Sequence, residues 1–248
     1  MIRRYLLFLF KQFRSWPQQN YYLFFFSLGC QLMLWVTRPF TVTSTIVFIG
    51  TVIGVAGICA INAARSVSGW LGLIACLCTI YIDYVNFNYL NGIVHVIYIF
   101  IIYGPIIFSK YWNNNMETKI RKFSSRQWII SLILTFIVYI VAGFVVDKFT
   151  NDPRPWVDSI TLAIGLTGAV ICALRYSNQY FWWIASDIVT IILWYVSFRE
   201  GGHATLAMFV NSMVYFVNDV LGFTVSPWFN NVAREKLGKL NIHIKKDN

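Results

Sequence analysis

The chain has 248 residues, of which 58% are hydrophobic, 18% aromatic and only 12% charged. A soluble domain of this length cannot hide that much apolar surface in one core, and the apolar stretches are continuous, which argues against a membrane β-barrel. The formal net charge of +10 is confined to loops and ends, so it marks membrane topology and not nucleic acid.

Residues 1–14, MIRRYLLFLFKQFR, combine basic and apolar side chains without a small-residue cleavage site. They are expected to form an interfacial amphipathic helix and not a signal peptide. Eight apolar runs follow, near 20–37, 43–63, 66–83, 88–108, 127–146, 155–175, 178–197 and 203–223. Each is close to the ~20 residues that a helix needs to cross a hydrocarbon core. With eight spans and both ends in the cytoplasm, sixteen Lys and Arg fall on the inner side. Only four, Arg38, Lys148, Arg154 and Arg199, fall outside. Positive residues collect on the cytoplasmic face of membrane proteins, so this topology is expected over a seven-span reading. The five cysteines lie inside apolar runs without metal-type spacing and read as small core residues.

The second run is introduced by TRPFTVTST (37–45) and the sixth by PRPWVDSIT (153–161). Small residues follow at matching helical spacing: Gly50, Gly54 and Gly57 in one, Thr161, Gly165 and Gly168 in the other. Such faces let helix backbones approach closely. Trp70 in the third run then matches Trp183 in the seventh, and the offsets drift from 116 to 111 to 113. These features predict an internal repeat, with runs two to four and six to eight as parallel three-helix bundles. The fifth run is the linker between them, and the first an extra peripheral span. The basic loop 109–126 divides the halves. The expected division is therefore 1–40 (N-terminal segment and extra helix), 41–110 (first bundle), 111–150 (loop and linker helix), 151–225 (second bundle) and 226–248 (basic tail).

The seventh run, QYFWWIASDIVTIILW, carries a carboxylate, Asp187, near its middle. An acid there would cost roughly 2.5 kcal/mol or more against lipid, so it is expected to face the bundle interior. Tyr180, Trp183, Asp187 and Trp194 share a helical face, with Gln179 at its start and Thr190 beside it. Aromatic rings around one acid suit a flat cation or a polyhydroxyl ligand. The eighth run adds Asn211, Tyr215 and Asn218; the adjacent Asp219 lies toward the cytoplasmic end, where water would solvate it. The fourth run adds Asn88, Asn91, His95 and Tyr98. The Asn and Tyr side chains offer both donors and acceptors to a neutral sugar or a heterocycle edge. No phosphate-binding loop, metal motif or nucleophile elbow is present, so neither an enzyme nor a cofactor or metal site is expected.

The stretch from Pro153 to Trp194 resembles the PnuC vitamin transporters. Their W-x-x-W-x-x-x-N motif reads here Tyr180, Phe181, Trp182, Trp183, Ile184, Ala185, Ser186, Asp187. The second Trp is kept as Trp183, Tyr180 replaces the first, and Asp187 stands where Asn is common. The likeness is clearest over 150–220; in the first half the usual asparagine after Trp70 is absent. The resemblance implies a SWEET-like three-plus-one-plus-three fold in the bacterial plasma membrane, often as a homotrimer surrounded by lipid. It also implies facilitated diffusion of nicotinamide riboside or a related vitamin, followed by cytoplasmic phosphorylation that traps it. Trp183 and Tyr180 would stack the ring, and Asp187 would balance charge or accept from hydroxyls. Asn211, Tyr215, Asn91 and His95 would complete the lining, with Gln179, Trp194, Asn218 and Trp70 as further candidates. Thiamine and a deoxynucleoside are alternative substrates. A non-transporting assembly protein, its aromatics only filling helix interfaces, is the alternative from another class.

Overall fold

The computed structural model of the chain describes residues 2–14, 16–109, 112, 120–149, 155–202 and 204–230, with side chains from residue 7 onward. Pro153 and Arg154 of the second Arg-Pro motif, Lys110 and Lys119 of the basic loop, and the basic tail from 231 lie outside the described residues. Nine helices follow in order among the described residues: α1 Ile2–Lys11, α2 Gln18–Val36, α3 Val42–Asn62, α4 Ser68–Val85, α5 Tyr89–Phe108, α6 Ser125–Phe149, α7 Pro155–Ala173, α8 Gln179–Arg199 and α9 Thr205–Val225. Each expected apolar run is therefore a helix. Among the described residues the only β pairing is a single parallel bridge between Arg121 and Tyr176.

Seven of these helices, α3 to α9, are long and apolar enough to cross a membrane. The chain is an all-helical, multi-pass membrane protein. α2 falls short because Gln18, Gln19, Asn20 and Gln31 lower its mean hydropathy. The structure shows where two of them go. The Asn20 amide donates to the Cys59 carbonyl at 2.9 Å, and the Gln31 amide donates to the Ala207 carbonyl at 3.1 Å. α2 thus packs on both α3 and α9 and joins them, while Phe25, Phe26 and Met33 stay exposed. α6 is the opposite case. It has 25 residues, about 37 Å of helix, and packs on α7 with most of its apolar side chains exposed.

Helix starts and stops follow local chemistry. At the head of α3 the Thr41 hydroxyl accepts from Ser44 N at 3.0 Å, and the Ser44 hydroxyl accepts from Thr41 N at 2.9 Å. This reciprocal cap satisfies two donors that the first turn leaves open. α3 and α7 end on residues in the left-handed region, Ala64 (φ 55°) and Arg175 (φ 64°). The backbone bonds of the two turns correspond one for one. Ala64 N bonds to Ile61 O and Arg65 N to Ala60 O; Arg175 N bonds to Cys172 O and Tyr176 N to Ile171 O. Every pair is 111 residues apart, a shared pattern that closes the carbonyls of the last helical turn.

Packing repeats this correspondence. α3, α4 and α5 pack in succession, as do α7, α8 and α9, and the two sets meet through α3 against α9 and α5 against α7. Gly54 on α3 leaves room for the Tyr215 hydroxyl of α9, and Gly165 on α7 leaves room for the Tyr98 hydroxyl of α5. Each small-residue face therefore seats a tyrosine from the third helix of the other set.

Both ends of this frame are tied down. The Gln12 side-chain oxygen accepts from Ser66 Oγ at 3.0 Å and from Val67 N at 2.8 Å, anchoring the chain after α1 to the α3–α4 turn. After α9, the Trp228 indole donates to Ile61 O at 2.9 Å and the Ser226 hydroxyl donates to Asn62 O at 2.6 Å. The start of α6 and the segment before it are held at the equivalent turn of the other set: Gln127 Nε2 donates to the Tyr176 hydroxyl at 2.7 Å, and the Arg121 guanidinium lies 4.6 Å over the Tyr176 ring.

Candidate substrate-binding cavity

Between the two helix sets lies a cavity of about 130 Å³. Its wall takes Trp183, Asp187, Tyr180 and Trp194 from α8, Asn211, Tyr215 and Asn218 from α9, and Asn91 and His95 from α5. The face drawn by helical spacing in the seventh run is thus brought to one side of a hollow, with the amide stripes of α5 and α9 around it.

Trp183 is fixed from two directions. Its indole nitrogen donates to Gln179 Oε1 at 3.2 Å, and Tyr98 meets it edge-on with ring centroids 5.7 Å apart. Gln179 itself is fully buried and does not reach the cavity; its place is behind Trp183, one helical turn earlier. Tyr180 reaches the cavity but packs edge-on against Phe223 and Phe229, at 6.0 and 5.5 Å. Gly222 makes this possible, because a Cβ there would collide with the Tyr180 ring.

Trp70 is not brought to the cavity. It is 36% exposed on the outside of α4. The matching turns before α4 and α8 give the reason: at an offset of 111 residues, Trp70 corresponds to Phe181 and Gly72 to Trp183. The two Trp residues belong to different faces. Where α8 carries Trp183, the first set has Gly72 with the Tyr103 ring against it, and Tyr103 lines the cavity.

The acids sit closer together than sequence spacing suggests. Asp187 is 8% exposed, its Oδ2 accepts no hydrogen bond among the described residues, and it shares the cavity wall with Asp219 of the neighbouring helix. Asp219, expected to be solvated, is instead buried on the cavity wall and accepts from Asn218 Nδ2 at 3.1 Å. The chain beyond α9 does not run out into solvent there but folds onto the end of α3 through Ser226 and Trp228. Asn211 Oδ1 is likewise buried without a partner among the described residues. No Lys or Arg is on the described wall. Two acids, unfilled acceptors and several ring faces make a receptor for a flat cation that also carries donors.

Two further residues, one on the wall and one behind it, could not be read from spacing. Tyr103 lies in a π-helical turn of α5, Ile99–Tyr103, where the Gly104 N–H bonds back to Ile99 O. Pro105 follows directly and has no N–H to continue the ordinary ladder, which accounts for the extra residue in that turn. Asp83, in the last turn of α4, lies behind the wall against Asn91 and His95. Only the sequence motif Gly-Pro was a visible sign of the first; nothing local announces the second.

Known proteins share this architecture. A crystal structure of the vitamin B3 transporter PnuC superposes with a TM-score of 0.74 at 21% identity, covering 92% of this chain and 94% of that one. The likeness establishes the fold. The nicotinamide riboside transporter PnuC of Neisseria mucosa is 23% identical over 210 residues, 79% of this chain and 76% of its own. The profile of the family described as nicotinamide mononucleotide transporter matches residues 44–230, which includes every residue on the described cavity wall, and the chain therefore belongs to that transporter family.

Proposed function

We propose that the protein transports nicotinamide riboside across the membrane by facilitated diffusion, binding it in the cavity between the two helix sets. One observation carries this reading. The described wall bears two carboxyl groups, Asp187 and Asp219, beside Trp183 and four cavity tyrosines, and no Lys or Arg. A pyridinium riboside brings one positive charge, a flat ring and hydroxyl donors. The mononucleotide adds a phosphate of about −2 charge, which this wall would repel and leave without a partner. The riboside named for the Neisseria relative therefore suits this chain better than the mononucleotide in the family's description.

The same reading covers the arrangement. The shared 111-residue offset and the reciprocal Gly54–Tyr215 and Gly165–Tyr98 seats support two repeated three-helix units, 41–110 and 151–225, in a three-plus-one-plus-three, SWEET-like order. The segment 111–150 links them, residues 1–40 add an eighth span, and 226–248 form a tail. In this proposal both termini are cytoplasmic in a bacterial plasma membrane, the subunit assembles as a homotrimer in lipid, and phosphorylation inside the cell retains the substrate. An inside-negative potential would favour entry of a cation by about 2.3 kcal/mol per 100 mV.

The test is ligand-dependent thermal stabilisation and binding calorimetry of the purified protein. Nicotinamide riboside is expected to bind, and its mononucleotide about a hundredfold more weakly. Tighter binding of the mononucleotide would overturn the proposal. Preference for thiamine would reassign the substrate within the flat cations, preference for a deoxynucleoside would remove the charge argument, and silence from all of them would favour an assembly role.

A further inference from the structure

His95 reaches the cavity with 21% of its side chain exposed, whereas the acid behind it, Asp83, is fully buried and does not reach it. Asp83 accepts from Asn91 Nδ2 on both oxygens, at 2.9 and 3.0 Å, and its Oδ2 lies 3.2 Å from His95 Nδ1. The carbonyl oxygen of Asn91 lies 2.9 Å from the same Nδ1. Both groups that face Nδ1 are acceptors. A ring nitrogen between two acceptors must carry the hydrogen, so the tautomer is set by its surroundings. The polar atom that the ring retains for the cavity is Nε2, and in the neutral ring it offers a lone pair.

Tyr98 stands between this point and the ring-binding face. It meets His95 edge-on at 5.5 Å and Trp183 edge-on at 5.7 Å. The cavity is therefore divided: an acceptor end at His95, and an acid and aromatic end at Trp183, Asp187 and Asp219. A ligand carrying a cationic ring at one end and hydroxyl groups at the other matches both.

We propose that His95 Nε2 is the subsite for a hydroxyl of the sugar part of the substrate, and that Asp83 is a positioning residue that holds the His95 ring in the Nδ1–H form. The inference rests on the proposed binding of a riboside and adds the direction in which it lies, with sugar at His95 and charged ring at Trp183. Asn91 serves the same purpose from both of its ends, with its amide on Asp83 and its carbonyl on Nδ1.

The experiment compares nicotinamide riboside with the same pyridinium ring bearing a methyl group in place of the ribose, by binding calorimetry. His95→Phe is expected to lower the riboside-to-methyl affinity ratio about tenfold, equal to about 1.4 kcal/mol, while the methyl compound binds as in the unaltered protein. Asp83→Asn is expected to lower the ratio by about threefold, because the Asn91 carbonyl still holds Nδ1. An unchanged ratio, or equal losses for both ligands, would overturn the hydroxyl subsite. Nitrogen-15 NMR of labelled histidine in the ligand-free protein tests the positioning separately; a hydrogen on Nε2 and none on Nδ1 would overturn it. If neither ligand binds the unaltered protein, the transport proposal and the subsite both fall, and the NMR result alone decides the role of Asp83.

Discussion

Gly165→Ala probes the contact by which one helix set receives the other. An added Cβ at position 165 would lie 2.6 Å from the Tyr98 hydroxyl and 3.1 Å from Val94 Cγ1. Ordinary contact begins near 3.4 Å, so the hydroxyl is short of room by about 0.8 Å. Tyr98 cannot simply retreat, because its ring is bracketed by His95 and Trp183, and moving it displaces both ends of the cavity. Overpacking of this kind costs about 1–3 kcal/mol, or a five- to 150-fold loss where it falls on the ligand-bound state. The Tyr98 ring carbon Cζ would lie at an acceptable 3.6 Å. Tyr98→Phe therefore removes the hydroxyl clash without removing the ring, leaving only the milder contact with Val94. Binding calorimetry and uptake into proteoliposomes on the two single variants and the double variant give a complete cycle. The double variant is expected to recover most of the affinity lost in Gly165→Ala. An unimpaired Gly165→Ala, or a double variant no better than it, would refute the seat. Gly54→Ala with Tyr215→Phe should behave in the same way across the other contact, since the Cβ at 54 would strike the Tyr215 hydroxyl and clear Cζ at 3.5 Å.

Asp187→Asn should weaken nicotinamide riboside about tenfold and neutral nicotinamide by less than twofold, as measured by calorimetry. With Asp219→Asn added, the loss should reach about a hundredfold, the scale of one charge at ~5 Å in a medium of effective dielectric ~20. Equal losses for charged and neutral ligands would exclude a charge role. Trp183→Ala should abolish most riboside uptake, whereas Trp70→Ala, on the outer face of α4, should leave uptake within about twofold. Trp228→Phe deletes the indole donor to Ile61 O and should lower stability by about 1 kcal/mol, read as a lower Tm in detergent with ligand affinity unchanged.

Helical periodicity made much of this molecule legible. Tyr180, Trp183, Asp187 and Trp194 fall on one face of any regular helix, and an acid amid apolar residues must turn that face inward, so the α8 wall followed from spacing alone. The small residues at 54 and 165 announced close helix contacts in the same way. Other features depended on which helices meet. Three apparent offsets could be drawn between the halves, and only the bonds of the turns at Ala64 and Arg175 selected 111, which moved Trp70 off the cavity. Asn20 and Gln31 lower the hydropathy of α2, and only the tertiary structure supplies their partners on α3 and α9. Asp219 became a cavity residue because α9 packs between α8 and α3, which turns that position toward the hollow. Asp83 meets His95 only because the α4–α5 turn folds the start of α5 back against the end of α4. A helix's period is a local property of the chain, whereas burial and pairing between helices are properties of their packing, and that packing determines which acids, rings and amides share the cavity.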